Sequence, residues 1–185
     1  DKSKLLLLSQ SQFMRCLIIF FSVLVLLISC YGNDSLSTIF NDKHVKVLVF
    51  LNPECPLCQS YTREIKQLQK MYNDQIDFYG VLPGLSYSQQ EMDSFLKVYE
   101  LPIEIIYDHN YNLVNDLKAS ITPEVYLIDE NNKVQYQGLI DNWLGKLGRK
   151  RQFVSEYYLK DAIESFINGE EVSIKKTKAI GCFIE

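Results

Sequence analysis

The chain has 185 residues, of which 47% are hydrophobic and 23% are charged, and its formal net charge is −4. This composition is typical of one globular domain of ordinary size preceded by a leader. Nucleic-acid binding requires a basic surface, so an acidic chain of this kind predicts no nucleic-acid partner.

The N-terminal region has the pattern of an export signal. Met14-Arg15 precedes residues 16–28, a run of thirteen residues in which only Ser22 is polar. A run of this length suits a signal peptide and is short for a bilayer span. It ends in Leu27-Ile28-Ser29-Cys30, which resembles the lipobox of bacterial lipoproteins, where the cysteine is acylated.

This pattern predicts three segments: a leader over residues 1–29, a polar tether over residues 30–44, and a folded domain over residues 45–185. Lipidation of Cys30 would hold the protein on a membrane, facing the periplasm of the bacterial cell envelope. A plain signal peptide or a membrane anchor is the alternative interpretation of the same residues.

Strand and helix patterns alternate along the predicted domain. The first is residues 45–51, an apolar run broken only by Lys46, which is typical of a buried central strand. Further strands are predicted at residues 76–82, 103–107, 124–129 and 134–137, and helices at residues 56–73, 88–99, 112–119 and 155–167. This order predicts an α/β fold with a mixed central sheet flanked by helices and a C-terminal helix and tail.

Cys55-Pro56-Leu57-Cys58 lies between the first predicted strand and the first predicted helix. If the helix begins here, Cys55 is its N-cap, Pro56 is N1 and Cys58 lies one turn inside. The free N–H groups and the positive end of the helix dipole would then favour the Cys55 thiolate. The spacing indicates a redox pair in which Cys55 attacks a substrate disulfide and Cys58 resolves the mixed disulfide.

Other uses of two cysteines are less consistent with the sequence. A disulfide that closes so short a loop constrains the unfolded chain little, and no wider cysteine framework is present. A zinc site would need a second pair of ligands, whereas His44 and His109 are distant in sequence. Copper binding stays an alternative, because soft thiolates suit Cu(I) and His109 is a candidate third ligand.

Two segments are predicted to lack regular structure, a basic loop over residues 139–153 and a tail over residues 170–185 that carries Cys182. Cys182 has two interpretations that the sequence leaves open. It is either a third redox cysteine that reaches the site or a partner, or a small buried hydrophobic residue.

The strand, the Cys-x-x-Cys motif and a later Thr-Pro before a hairpin together resemble the thioredoxin fold. In detail they resemble its redoxin branch, the AhpC/TSA-like and TlpA/ResA-like thiol–disulfide oxidoreductases. The motifs are residues 50–59 (FLNPECPLCQ), 122–129 (TPEVYLID) and 178–182 (KAIGC), and the resemblance covers roughly residues 45–185. It implies that Pro123 is a cis proline beside the redox pair, and that a substrate segment pairs with the backbone of Thr122.

The resemblance also implies the rest of the site and its partners. Glu54, Pro56 and Leu57 would border the substrate surface, and the Cys55–Cys58 disulfide would be the redox centre, so no bound cofactor or metal is expected. The partners would be protein thiols and disulfides, and a membrane or thioredoxin-like electron donor would recharge the dithiol.

Three positions depart from thioredoxin, and they bear on the redox potential. Glu54 replaces a tryptophan, Val49 replaces a buried acid, and Leu57 stands where strong oxidants have a histidine. A carboxylate at Glu54 would oppose the thiolate. We therefore expect an intermediate potential, nearer thioredoxin at about −270 mV than DsbA at about −120 mV.

A peroxidase is the closest enzymatic alternative. Cys55-Pro56 resembles the peroxidatic Cys-Pro of the peroxiredoxins. That family has a threonine three residues before its cysteine, whereas this chain has Asn52. The sequence therefore favours disulfide exchange over direct peroxide reduction.

Overall fold

The computed structural model describes Leu36, Ile39, Phe40, residues 43–146 and residues 149–185. The chain divides into two units, Asp1–Asp34 and Ser35–Glu185, and every described residue belongs to the second. The predicted leader and the acylation of Cys30 lie outside the described residues. No helix in the described part of the chain is both long and apolar enough to cross a membrane.

Nine strands and four helices make up the described structure. The strands are β1 Lys46–Phe50, β2 Asp77–Pro83, β3 Glu104–Asp108, β4 Ile121–Thr122, β5 Glu124–Ile128, β6 Val134–Gly138, β7 Leu144–Lys146, β8 Arg149–Lys150 and β9 Cys182–Phe183. The helices are α1 Pro56–Tyr72, α2 Gln89–Tyr99, α3 Asn112–Leu117 and α4 Tyr158–Ile167. The predicted elements are all present, but α4 begins three residues later than the sequence pattern indicated.

The main sheet has five strands in the order β3-β2-β1-β5-β6. β1, β2 and β3 are parallel, β5 runs antiparallel to β1, and β6 runs antiparallel to β5. All five residues of β1 are buried, as its apolar run predicts, and the buried set includes Lys46, the one polar residue of that run. The predicted mixed sheet is therefore confirmed, and β1 lies at its centre.

Alternation along β1 divides the core between the two faces of the sheet. Val47 and Val49 pack with the buried stripe of α1 and with α4, whereas Leu48 and Phe50 pack with α3. Leu36 and Phe40, which lie within the predicted tether, are buried in the second of these clusters. The packed core thus includes side chains upstream of Val45.

The second helix begins as its sequence predicts. The Ser88 hydroxyl accepts a hydrogen bond from the backbone N–H of Glu91, and the Glu91 carboxylate accepts one from the Ser88 N–H at 2.7 Å. This reciprocal pair is a capping box, which satisfies two of the N–H groups left free at the start of a helix.

The two segments predicted as irregular contain short strands, which corrects that prediction. β7 and β8 form a two-stranded ribbon inside the predicted loop, and β9 pairs with β4. Before β9, the tail follows the edge of β6, where Gln137 donates to the Lys175 carbonyl at 3.0 Å and accepts from the Thr177 N–H at 2.9 Å. Strands of two or three residues are too short to show periodicity in a sequence.

Candidate active site

The first cysteine of the motif lies at the start of α1, directly after β1 and a short turn. Cys55 is the N-cap with extended backbone angles, and Pro56 follows within the first turn. The Cys55 carbonyl accepts the first helical hydrogen bond, from the Gln59 N–H at 3.1 Å. The structure therefore places Cys55 and Cys58 one turn apart at a helix N-terminus, as the sequence predicts.

Both thiols are buried. Cys55 is 2% exposed and Cys58 is fully enclosed. The Cys58 sulfur accepts a hydrogen bond from the Asn52 N–H at 3.4 Å, and the Cys55 thiol donates to the carbonyl oxygen of Thr122 at 3.3 Å. The residue that precedes Pro123 is thus in direct contact with the first cysteine.

The surroundings of Cys55 favour its thiolate. The largest influence is a hydrogen bond from the Cys58 thiol, which lowers the pKa of Cys55. Burial raises this pKa. The Cys182 thiol and the backbone N–H groups of Cys58 and Leu57 lower it further. The contact with the Thr122 carbonyl is open only to the protonated thiol and works in the other direction. Three kinds of donor outweigh burial, so the pKa of Cys55 lies well below its usual value.

Cys58 has the opposite character. Burial raises its pKa well above the usual value, and the neighbouring Cys55 raises it further as hydrogen-bond acceptor and as negative charge. One thiol of the pair is therefore held ionised and the other protonated. This is the division of roles that a nucleophile and a resolving cysteine require.

Thr122 and Pro123 border the thiols from the other side. Both are buried, and the peptide bond that joins them is cis, as the resemblance implies. The Thr122 hydroxyl has no hydrogen-bond partner among the described residues, but its proximity lowers the pKa of Cys58 because a hydroxyl stabilises a nearby thiolate.

Cys182 is the third thiol at the site. It is half-buried and lies opposite Thr122 in the β4–β9 ladder. Burial, together with the proximity and charge of Cys55, raises its pKa to about 12. The sequence left the place of Cys182 open, and the structure places it opposite Thr122, near enough to Cys55 for each thiol to shift the pKa of the other.

The other predicted substrate residues form a rim around the thiols. Pro56 is exposed and Leu57 is half-buried. The carboxylate of Glu54 accepts a hydrogen bond from the Tyr87 hydroxyl at 3.2 Å. The pKa of Cys55 is shifted by the Cys58 thiol, by burial, by the Cys182 thiol and by backbone N–H groups, and Glu54 is not among these influences. Tyr87 was missed in the sequence, because it precedes a helix cap and belongs to no periodic pattern.

A cavity of about 240 Å³ opens beside the tail. Its lining includes Asn52, Tyr87, Thr122, Cys182 and Phe183. The cavity leaves space next to the third thiol, between polar and apolar side chains.

His109, the candidate third copper ligand, makes other contacts. Its Nδ1 lies 3.2 Å from the Gly84 carbonyl oxygen, and its ring stacks on Tyr107. Within the described ranges, no three His, Cys, Asp or Glu side chains form a group that could hold a metal ion.

The fold and the paired thiols define a thioredoxin-like oxidoreductase. The sequence model of the Redoxin family matches residues 31–143. The chain therefore belongs to the Redoxin family.

Two solved structures are similar in fold. An uncharacterized conserved protein from Geobacillus kaustophilus is 21% identical, with a TM-score of 0.67 over 78% of each chain. A hypothetical protein from Sinorhizobium meliloti is 18% identical, with a TM-score of 0.69 over 80% of this chain and 82% of its own. No curated protein matches the chain at a significant level of sequence similarity.

Proposed function

We propose that this protein is a thiol–disulfide oxidoreductase that acts on exported proteins through the Cys55–Cys58 pair. The observation that carries the proposal is the geometry of the pair: Cys55 is the N-cap of α1, Cys58 lies one turn inside, and the Cys55 sulfur lies 3.3 Å from the carbonyl oxygen of Thr122, which precedes the cis proline Pro123. The opposite shifts of the two thiol pKa values, lowered for Cys55 and raised for Cys58, support it. In such a pair, one cysteine is a thiolate that can attack a disulfide, and the other stays protonated until it resolves the mixed disulfide.

The proposed reaction transfers two electrons from the dithiol to a substrate disulfide. The Cys55 thiolate attacks one substrate sulfur, a Cys55–substrate bond forms, and the second substrate sulfur leaves as a thiolate. Cys58 then loses its proton to that leaving thiolate and attacks Cys55, which releases the reduced substrate and closes the Cys55–Cys58 disulfide. A thiol donor, either a membrane protein or a thioredoxin-like protein, restores the dithiol by the reverse exchange. The cysteines themselves are the redox centre, so the reaction uses no further cofactor.

The substrate surface in this proposal is the rim around Cys55. The exposed ring of Pro56 and the half-buried Leu57 offer apolar contact, Glu54 offers a carboxylate, and Thr122 with Pro123 forms the opposite side. A carboxylate fixed by the Tyr87 hydroxyl gives the rim a negative charge, which favours substrate segments that carry lysine or arginine near their cysteine.

A redox titration tests the proposal. The Cys55–Cys58 couple is equilibrated with glutathione buffers in the Cys182→Ser variant, and the fraction of disulfide is read by mass spectrometry. We expect a reversible two-electron couple whose potential lies nearer about −270 mV than about −120 mV. In the same variant, insulin disulfides should be reduced when dithiothreitol is supplied, and Cys55→Ser should abolish this activity.

Absence of a Cys55–Cys58 disulfide under every buffer would contradict the proposal. Consumption of hydrogen peroxide at the expense of dithiothreitol, with no insulin reduction, would assign the protein to the peroxidase alternative. Stoichiometric Cu(I) binding that is lost in His109→Ala would assign it to the copper-binding alternative.

Export and membrane attachment through Cys30 are also part of the proposal. They are supported by the thirteen-residue apolar run that ends in Leu27-Ile28-Ser29-Cys30. In a bacterial host that receives an alkyne-labelled fatty acid, we expect the wild-type chain to be labelled and to sediment with membranes. Cys30→Ser should lose both properties, and a wild-type chain that remains unlabelled would contradict the acylation.

A further inference from the structure

The edge at Thr122, where a substrate strand is expected to pair, is occupied by the chain's own tail. β9 runs antiparallel to β4, with Cys182 opposite Thr122 and Phe183 opposite Ile121. The Thr122 carbonyl oxygen is the atom to which Cys55 donates at 3.3 Å. A strand that pairs at this edge therefore places its residue opposite Thr122 beside the reactive sulfur, and in this chain that residue is a cysteine.

The pairing is held by contacts on both sides of β9. The Ile184 N–H donates to the Ser120 carbonyl at 3.0 Å, and the Tyr111 hydroxyl donates to the Glu185 carbonyl at 2.6 Å. The Ile184 side chain packs against the apolar cluster on the β1 face that also carries α3. The tail thus contacts the domain both before Cys182, where it runs along β6, and after Cys182, through Ile184 and Glu185. The contacts after Cys182 involve main-chain and side-chain atoms.

Gly181 permits this close approach. A Cβ at this position would lie 2.1 Å from the Thr122 carbonyl oxygen and 2.8 Å from the Ile121 Cγ2. Backbone atoms of β4 cannot yield to a side chain there without moving the ladder. Position 181 therefore accepts only glycine while β9 stays paired with β4.

We propose that β9 acts as a substrate strand within the chain, and that Cys182 exchanges disulfides with Cys55 as a third redox cysteine. This inference rests on the proposed function. It assigns to the tail two roles at the same site, occupation of the substrate edge and formation of a Cys55–Cys182 disulfide.

The exchange balances without any external reagent. In the oxidised protein, the Cys182 thiolate attacks the Cys55 sulfur of the Cys55–Cys58 disulfide. The Cys55–Cys182 bond forms, the Cys55–Cys58 bond breaks, and Cys58 leaves as a thiolate that takes up the proton given up by Cys182. The number of disulfides is unchanged, so this step is an isomerisation of the oxidised protein.

The charge of Cys55 decides when this exchange can take place. In the reduced protein, burial and the adjacent Cys55 both raise the pKa of Cys182, so Cys182 stays a thiol. Oxidation of Cys55 removes the second of these influences, which lets Cys182 ionise more readily. In the reduced protein, the tail therefore stabilises the Cys55 thiolate. In the oxidised protein, Cys182 competes with Cys58 for the disulfide bond to Cys55.

A substrate strand and β9 cannot pair with Thr122 at the same time. The tail is tethered beside the edge, so it competes at the high effective concentration of an intramolecular ligand. Displacement of β9 would open the site to a substrate, and its return would close it.

Trapping in the Cys58→Ser variant tests the inference. The variant is incubated with oxidised glutathione, which takes the two electrons released when the Cys55–Cys182 bond forms. After trypsin digestion, the link should join peptide 47–63 to peptide 179–185, which contain these two cysteines. The double variant Cys58→Ser/Cys182→Ser should instead retain a glutathione adduct on Cys55.

Gly181→Ala in the Cys58→Ser background tests the docking of the tail. We expect the rate of Cys55–Cys182 linkage to fall by about tenfold, because the Cβ pushes β9 from Thr122 and lowers the effective concentration of Cys182. With Cys58 present, the same substitution should raise the rate of insulin reduction, since the substrate edge is open more often. Ser173→Ala in the same background is the control, because Ser173 is an exposed residue of the same tail.

The outcomes separate the two proposals. If the wild-type protein forms a reversible Cys55–Cys58 disulfide but Cys58→Ser accumulates only the glutathione adduct, the inference about the tail is wrong and the proposed function stands. If the wild-type protein forms no Cys55–Cys58 disulfide, the proposed function fails and the exchange that starts from it fails as well. Equal linkage rates in Gly181→Ala and Ser173→Ala would overturn the docking role.

Discussion

The Thr122 carbonyl oxygen lies 3.3 Å from the Cys55 sulfur and accepts a hydrogen bond from the Cys55 thiol. The same residue pairs across the ladder with Cys182. The backbone of Thr122 thus contacts both the nucleophile and the strand that carries the third thiol. Substitutions in β4 or β9 should therefore change the reactivity of Cys55.

Cys55 should remain reactive at acidic pH. Its pKa is lowered by donors from thiols and backbone N–H groups, so its thiolate is present above that lowered pKa and is lost only as the pH falls through it. The rate of alkylation by iodoacetamide should change little between pH 8 and pH 6, whereas an unperturbed thiol would lose roughly a hundredfold over that interval. Mass spectrometry of the reduced protein locates the label, and a rate at Cys55 that falls steeply from pH 8 would contradict the lowered pKa.

Cys182→Ala should raise the pKa of Cys55. The substitution removes a hydrogen-bond donor to the Cys55 sulfur, and the thiolate form loses that stabilisation. The Cys55–Cys58 couple should become more reducing, by about 30 mV for each tenfold loss of thiolate stability. Cys182→Ser, whose hydroxyl can donate in the same place, should restore most of both properties. Equal alkylation profiles for the alanine and serine variants would show that this donor has no effect.

Tyr61→Phe should destabilise the domain. The Tyr61 hydroxyl donates to the buried carboxylate of Asp141 at 2.7 Å, and the remaining partner of that oxygen is the Trp143 N–H at 2.8 Å. Loss of a hydrogen bond to a buried charged group costs about 1.5–3 kcal/mol. Urea unfolding measures the change in the free energy of unfolding.

Tyr87→Phe is the control for that variant, because its hydrogen bond to Glu54 is exposed. Its effect on the free energy of unfolding should stay within about 0.5 kcal/mol. A similar loss in both variants would mean that burial of the Tyr61–Asp141 pair has no special weight.

Glu124→Gln should stabilise the protein at neutral pH. Burial raises the pKa of Glu124 above its value in the unfolded chain. For a carboxyl shifted in this direction, stability is highest when the group is protonated and falls as the pH rises from the unfolded pKa through the folded one. The glutamine stays neutral, so the melting temperature at pH 7 should rise, by about 2–4 °C for each kcal/mol gained.

Glu91→Gln gives the opposite sign. Its carboxylate accepts hydrogen bonds from Ser88, which lower its pKa, so its contribution to stability is present above the unfolded pKa and is lost as the pH falls. The glutamine variant should therefore melt lower than wild type at pH 7 and approach it at acidic pH. Thermal unfolding followed by circular dichroism from pH 4 to pH 8 compares both variants with wild type.

The sequence predicts the parts of the site that are local in the chain. The apolar run of β1, the proline after Cys55 and the capping box of α2 each lie within a few residues and follow known rules of periodicity and capping. The mixed sheet follows from the alternation of elements. These predictions are confirmed because each depends on short-range physical chemistry.

The contacts across the site were not predictable in the same way. The pairing of Thr122 with Cys182 joins two strands of two residues each, which are distant in sequence and carry no pattern of their own. The demand for glycine at position 181 arises only from a carbonyl oxygen of β4. A motif in the tail could mark Cys182 as notable, but only tertiary packing brings its thiol to Cys55.

The pairing of β9 also concerns solubility. With the tail in place, the main-chain N–H and C=O groups of Ile121 and Thr122 are matched to a neighbouring strand. After a substrate has displaced the tail and departed, these N–H and C=O groups would have no hydrogen-bond partner next to the Cys55 sulfur. An unpaired strand edge promotes association between chains. The exposed ring of Phe183, 77% of whose surface is accessible, would leave with the tail. In the proposed cycle, the return of β9 would cover this edge again, and so would limit self-association as well as end each encounter.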